Sequence, residues 1–410
     1  MQGWRAILNG RVLAVLFLGF SSGLPLYTVL YLVQAWLAKS GVDVKMLGLF
    51  ALVRFPYTFK FLWAPFMDRF TLGRLGRRRG WMALTQLLLF VLIGALGALD
   101  PQTQLGWVIA GCTALTFVSA SQDIVVDAYR REILDDNQQG LGAAVIVNAY
   151  KAASLIPSAL GLVLADVMSW QGVFWIVGAF MFVGLVCTLL APEPEVYGQP
   201  PRNMQEAVVL PFKEFVARGG WRHSVLFLAF ILLYKLGDSM ATALATKFYL
   251  DLGFTTTQIG IAANTTGWWA ALAGGVVGGI WMIRLGVNRA LWVFGVLQAV
   301  SILGFAWLAK AGPDPALLAL VFGFEAFASP GLGAAALVAF NSRASDRRYT
   351  ATQYALFSSF VTIPITFISS SVGYIVAAIG WFQFFLLCFV LAFPAMLMLP
   401  KVAPWSENGR

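Results

Sequence analysis

The chain has 410 residues, of which 59% are hydrophobic and only 11% charged; soluble domains carry a charged fraction near a quarter, so a set of soluble globules is excluded. The net charge of +9 does not imply nucleic acid as a partner, because the cations fall in short loops between long apolar runs. Three cysteines inside apolar runs and a single histidine exclude a disulfide framework and a zinc site.

The first apolar run, Val12 to Trp36, is too long for a secretory signal and lacks a small-residue cleavage site. It reads as a retained first helix. The pattern predicts an all-α integral membrane protein of about 12 transmembrane helices, at 11–37, 46–66, 80–99, 105–132, 140–167, 171–191, 222–250, 256–283, 288–309, 314–341, 350–379 and 381–400. Between the sixth and seventh lies the one long polar segment. It is broken by Pro192, Pro194, Pro200, Pro201 and Pro211, and reads as a cytoplasmic linker, 192–221, between six-helix bundles at 1–191 and 222–410.

Twenty cations fall on one side of this pattern, Arg5, Arg11, Arg74, Arg202 and Arg410 among them, and only Lys39, Lys45, Lys247 and Lys310 on the other. The positive-inside rule then puts both termini and the linker in the cytoplasm. The halves carry a weak repeat. Arg74-Leu75-Gly76-Arg77-Arg78-Arg79 and Arg284-Leu285-Gly286-Val287-Asn288-Arg289 share R-L-G-x-x-R, Asp100-Pro101 matches Asp314-Pro315, and Trp170 matches Trp381. Three tokens in order at nearly one offset are expected of a parallel six-helix repeat, the arrangement of major facilitator halves.

Ionisable groups within the hydrocarbon cost about 3 kcal/mol or more unless compensated. Arg54, Lys60, Asp123, Asp127, Lys151, Lys235, Asp238 and Glu325 fall inside expected helices, four of each sign, which implies internal pairing. Asp123 and Asp127 share a helix face, and two carboxylates at that spacing disfavour simultaneous ionisation. They are candidates for proton coupling, with Lys151 as counter-ion, although Asp127 is equally placed to pair with Arg130 or Arg131. Lys235 and Asp238 are three apart and can form a structural salt bridge, or serve coupling and substrate. Glu325 faces a cavity or meets Lys235. Asp68, Arg69, Arg77 and Arg78 read as topology, or as a charge clasp at a cytoplasmic gate.

Gly23 and Pro25, Pro56, and Pro330 with Gly331 and Gly333 interrupt the first, second and tenth helices, a weak signal of a cavity. Substrate contacts are expected from Gln34, Gln122, Tyr150, Lys151, Tyr234, Lys235, Asn264, Trp268, Tyr354 and Ser358, since sugar hydroxyls want amide, hydroxyl and charged partners and sugar faces want aromatic platforms. There is no nucleotide-binding loop and no nucleophile–base arrangement. An enzyme is not expected, no cofactor is required, and an ion gradient is the expected energy source.

Specific strings sharpen this reading. Phe59 to Arg69 (FKFLWAPFMDR), Gly76 to Trp81 (GRRRGW), Ser119 to Ala128 (SASQDIVVDA), Leu233 to Asp238 (LYKLGD) and Ala351 to Leu356 (ATQYAL) resemble the muropeptide permease (AmpG) family of the major facilitator superfamily. The resemblance runs from about Gly19 to Pro400. It implies an inner-membrane permease that imports anhydromuropeptides with the proton gradient, for cell-wall recycling and, through it, β-lactamase induction. It also adds weight to Gln122, Asp123, Asp127, Lys235 and Asp238. Related proteins include carriers for acetyl-coenzyme A; a drug antiporter or a non-transporting membrane sensor are the other readings. The expected partners are a sugar or sugar-peptide substrate and membrane lipid, with no nucleic acid, and the chain is expected to be a monomer.

Overall fold

The computed structural model describes residues 9–42, 53–195 and 203–405, the side chains at 256 and 363–371 excepted. Arg5, Lys45, Arg202, Arg410 and the start of the helix expected at 46–66 lie outside the described residues. Ten helices among those described are long and apolar enough to cross a membrane.

In chain order the helices are α1 (Gly10–Lys39), α2 (55–69, in three short pieces), α3 (Arg77–Leu96), α4 (Leu105–Ile133), α5 (Asp136–Leu164) and α6 (Trp170–Leu190). A single run, Met204–Asp251, follows. It is divided by Gly220 at φ 78° and ψ 161° into α7 (204–219) and α8 (221–251). Then come α9 (Thr257–Leu285), α10 (Val287–Ala311), α11 (Pro315–Ala344), α12 (Thr350–Ile379) and α13 (Trp381–Val402). Most of these ends fall within three residues of the pattern read from hydropathy.

By its contacts the chain forms two compact units. One holds Met1–Asp135, Val145–Phe212 and Ser345–Ser359; the other holds Asp136–Ala144, Lys213–Ala344 and Phe360–Arg410. The borders therefore cut through α5, α7 and α12. The core of the first unit draws on α1, α3, α4 and α6, with Leu32, Trp36, Leu89, Ile93, Cys112 and Phe174 buried together. The core of the second draws on α8, α10, α11 and α13, through Phe248, Phe305, Val321, Phe384, Phe385 and Cys388. Large apolar side chains also cover the outside, with Leu190 81% and Leu397 77% exposed. Such a surface suits hydrocarbon and not water.

The paired sequence tokens occupy matching slots. Gly76 (φ 100°) and Gly286 (φ 78°) each precede the first residue of a helix, α3 and α10. A positive φ with ψ near 180° is a region essentially reserved for glycine. Asp100 accepts from the Gln102 N–H at 3.0 Å and Asp314 from the Ala316 N–H at 2.8 Å. Trp170 and Trp381 are the first residues of α6 and α13.

Within the segment expected as a linker, 204–219 is helical. Asn203 caps this helix by accepting from the Glu206 N–H at 2.7 Å, and Ala207 and Pro211 lie buried on one face of it. Pro211 removes one backbone donor, yet it stands where that face packs. Its proline count made the segment look irregular; apolar residues at helical spacing override that.

Four spanning helices carry a π-helical turn: Thr28–Val33 in α1, Ile156–Leu160 in α5, Ala262–Gly267 in α9 and Phe327–Gly333 in α11. Those in α5 and α11 contain Pro157 and Pro330, and that in α1 begins three residues after Pro25. A proline leaves a carbonyl without its usual donor, and a wide turn absorbs the mismatch.

Candidate functional site

In the first unit α1 and α5 cross with almost no space between them. A side chain at Gly23 would place its Cβ 2.5 Å from the Tyr150 carbonyl oxygen. On α1, beside this crossing, Ser21 and Ser22 meet α4. The Ser22 hydroxyl donates to the Asp123 carboxylate, and the Gln122 amide donates to Ser21 at 3.1 Å. Tyr57 of α2 donates to Ser119 at 2.7 Å, and the Trp63 indole donates to Ser121 at 3.0 Å. Asp123 is thus a buried carboxylate inside a seam of hydroxyls and aromatic donors.

Lys60 is the cation whose charge acts on Asp123, and Asp127 is the neighbouring carboxylate. Lys60 is itself buried, in the short 3₁₀ turn that divides α2. One turn along α4 from Asp123, Asp127 lies 3.4 Å from Arg130. Arg130 is wholly buried, with its guanidinium 5.4 Å from the centre of the Tyr354 ring. Lys151, expected as the counter-ion, is half-buried on α5.

A second cluster stands at the end of α2 where the loop cations gather. Asp68 is fully buried. One of its oxygens accepts from Arg78 at 2.8 Å; the other accepts from the Thr352 N–H at 2.8 Å and the Thr352 hydroxyl at 2.7 Å. The Ala351 N–H adds a contact at 3.3 Å. These are free donors in the first turn of α12, so Asp68 caps that helix in trans. Arg78 also pairs with Glu132 at 2.5 Å, and Arg77 reaches the same carboxylate at 3.2 Å. Glu193 caps α3 in the same way, accepting from the N–H groups of Arg78 and Arg79 at 2.7 and 3.1 Å. Asp68, Arg77 and Arg78 therefore come together around Glu132. Arg69 stays apart, with its guanidinium 5.1 Å from the centre of the Phe70 ring.

In the second unit Lys235 and Asp238 are buried and 3.3 Å apart. The Lys235 ammonium also donates to the Ser329 hydroxyl at 2.6 Å and to its carbonyl at 3.3 Å. Ser329 lies in the π-turn of α11, so the widened backbone turns a carbonyl toward the ammonium. Lys235 meets Asp238 and Ser329; Glu325, half-buried, sits one turn earlier than Ser329 on α11. The two helices that flank α11 approach it closely, and a Cβ at Gly274 of α9 would stand 2.3 Å from the Phe327 carbonyl oxygen.

The expected substrate contacts divide. Gln122 and Tyr150 belong to the Asp123 seam, and the buried Tyr354 lies against Arg130. Trp268 is half-buried, edge-on to Trp269 at 4.8 Å. Tyr234 is a packing residue: its hydroxyl donates to the Leu291 carbonyl at 3.1 Å and its ring packs on Phe230. Ser358 bonds the Ala355 carbonyl of its own helix. Gln34 and Asn264 are exposed, and Asn264 bonds the Gly260 carbonyl one turn back. Sequence reasoning missed Ser22, Glu132 and Thr352 and gave Lys60 no partner. Lys60 was visible as an intramembrane cation. Ser22 carried no signal, because one hydroxyl beside a glycine is ordinary in a membrane helix.

A family model described as Major Facilitator Superfamily matches residues 11–236. An uncharacterized protein of Haemophilus influenzae is 43% identical over 98% of this chain and 97% of its own length. The anhydromuropeptide permease of Escherichia coli K12 is 39% identical over 97% of this chain and 81% of its own length. Among solved structures, the proton:xylose symporter XylE covers 97% of this chain and 95% of that one with a TM-score of 0.69, at 13% identity, a likeness of fold alone. The protein is a multi-pass membrane transporter and not an enzyme, and it belongs to the anhydromuropeptide permease family of the major facilitator superfamily.

Proposed function

We propose that the protein imports anhydromuropeptides across the bacterial inner membrane in symport with protons. These are cell-wall fragments built on an N-acetylglucosaminyl-anhydro-N-acetylmuramic acid disaccharide, with or without a stem peptide. Its kinship to the E. coli permease along 97% of the chain supports the substrate. The observation that carries the coupling is Asp123, a carboxylate buried in the apolar span among hydroxyl donors with one cation acting on it.

A buried carboxylate is costly when charged unless neighbours compensate it, and holds a proton when they do not. Switching between these two states is what a proton-driven carrier requires. Asp127, beside Arg130, is the next carboxylate along α4, and Asp238 with Lys235 is the corresponding buried pair of the second unit. Glu325, one turn from Ser329, completes the set of coupling candidates. Substrate hydroxyls and amides would be met by Gln122, Tyr150 and Lys151 in the first unit, and by Trp268 and the Lys235 ammonium in the second. The chain works as two six-helix halves, 1–191 and 222–410, joined at 192–221. It is a monomer with no cofactor, and both termini and the linker face the cytoplasm.

The test is uptake of labelled anhydro-disaccharide into proteoliposomes under an imposed proton gradient. Accumulation above equilibrium, lost on adding a protonophore, is the expected result. Accumulation indifferent to the protonophore would remove proton coupling. Competition by acetyl-coenzyme A or a cationic drug, but not by unlabelled disaccharide, would remove the substrate assignment.

A further inference from the structure

At the loop end of α9 the second unit carries a cleft of about 400 Å³. Asn137 and Gly140 from the start of α5, Met282 and Ile283 from α9, and Arg343 from the end of α11 line it. Arg343 forms no hydrogen bond or ion pair among the described residues, and it is half-buried. Arg284, the residue after Ile283, is a second exposed cation at the same helix end. Asn137 is exposed beside them, with an amide able to donate.

The cleft does not end at its polar wall. Val276, Ile280 and Ile283 are exposed and follow one another at i, i+4 and i+7, so they form a single stripe down α9. In a membrane-spanning helix such a stripe faces hydrocarbon. A cationic pocket at the membrane edge, continuous with an acyl-width apolar stripe, has the chemistry of a phospholipid site.

We propose that this cleft binds one anionic phospholipid, its phosphodiester on Arg343 and Asn137 and an acyl chain along Val276, Ile280 and Ile283. The apolar stripe that continues the cleft selects a lipid over a free phosphate, which has no chain to lay along it; Asp136 also lines the cleft.

The test uses full-length protein in detergent, titrated with phosphatidylglycerol, phosphatidylcholine or soluble glycerol phosphate, with binding counted by native mass spectrometry. Phosphatidylglycerol is expected to bind in preference to phosphatidylcholine, and glycerol phosphate to bind negligibly. Arg343→Gln should weaken phosphatidylglycerol roughly fivefold, the worth of one arginine at a membrane surface, and leave phosphatidylcholine unchanged. Arg343→Lys should keep most of the preference. Asn137→Asp, at an exposed position, should also reduce it by adding a carboxylate. Equal phosphatidylglycerol affinity in the wild type, Arg343→Gln and Asn137→Asp overturns the site. Glycerol phosphate binding as well as the lipid overturns the lipid as its occupant.

Discussion

A lone carboxylate deep in a membrane span is tolerated only where neighbours compensate its charge, and Asp123 shows how few neighbours that takes. One hydroxyl donates to it and one buried lysine acts on it. Removing the lysine takes away a compensating charge, and Asp123 then holds a proton more readily. Lys60→Met should therefore destabilise the protein by about 0.5–3 kcal/mol, the usual range for a single substitution. Adding Asp123→Asn should restore much of the loss, because the two changes share one interaction. Thermal midpoints of the single and double variants in detergent measure this, and additive losses would mean that the two charges do not interact. Asp123→Asn alone should keep the fold and lose accumulation driven by the gradient, which uptake in proteoliposomes reads. Asp68 makes a different case, because its two oxygens join Arg78 to the first turn of α12. Asp68→Ala takes one of two carboxylates from a buried guanidinium and uncaps a helix, and should lower stability by about 2–5 kcal/mol in the same measurement, the sum of a charged hydrogen bond and a cap. Asp123 and Asp68 were both legible as residues, through the cost of intramembrane charge and the density of arginines after α2. Their partners were not. Nothing in the sequence set Glu132 apart, and Thr352 lies 284 residues from Asp68, a pairing that no local pattern encodes.

Whole helices were easier to read than partners, because twenty apolar residues in a row admit few other structures. Proline was the hardest residue to read at this scale. Pro211 lies within α7, and Pro330, expected to interrupt its helix, sits in a π-turn, as does Pro157. Proline forbids one hydrogen bond, and packing decides whether the helix continues. Glycine was read more safely, and the repeat supplies a paired test. Gly76 and Gly286 have nearly the same backbone angles at the starts of α3 and α10. A Cβ at Gly286 meets nothing within 4 Å, whereas at Gly76 it would stand 2.5 Å from the Glu193 carboxyl carbon. Gly286→Ala should then cost only backbone strain, about 1–3 kcal/mol. Gly76→Ala should cost more, since it also displaces the carboxylate that caps α3. Equal thermal midpoints for the two variants would show that Glu193 yields without loss.

At the scale of the whole molecule the strongest sequence signal was the imbalance of twenty loop cations against four. The described members of the minor set are accounted for locally. Lys39 pairs with Asp166 at 2.5 Å and Lys247 with Asp251 at 2.7 Å, while Lys310 stands 4.3 Å from the centre of the Phe382 ring. The orienting signal is the imbalance in the number of cations itself, which neighbouring carboxylates alter little. Lys213 on α7 and Lys310 at the end of α10 are both exposed and belong to opposite sets, which makes them reporters of orientation. The native cysteines are poor reporters, since Cys112 and Cys388 are buried and Cys187 half-buried, and alanine can replace them. In that background Lys310→Cys should react with a membrane-impermeant maleimide in intact, outer-membrane-permeabilised cells. Lys213→Cys should react only after the inner membrane is opened. The reverse pattern would invert the proposed orientation, and with it the direction in which Asp123 takes up and releases its proton. Labelling at both positions in intact cells would mean that α7 is not held on the cytoplasmic face.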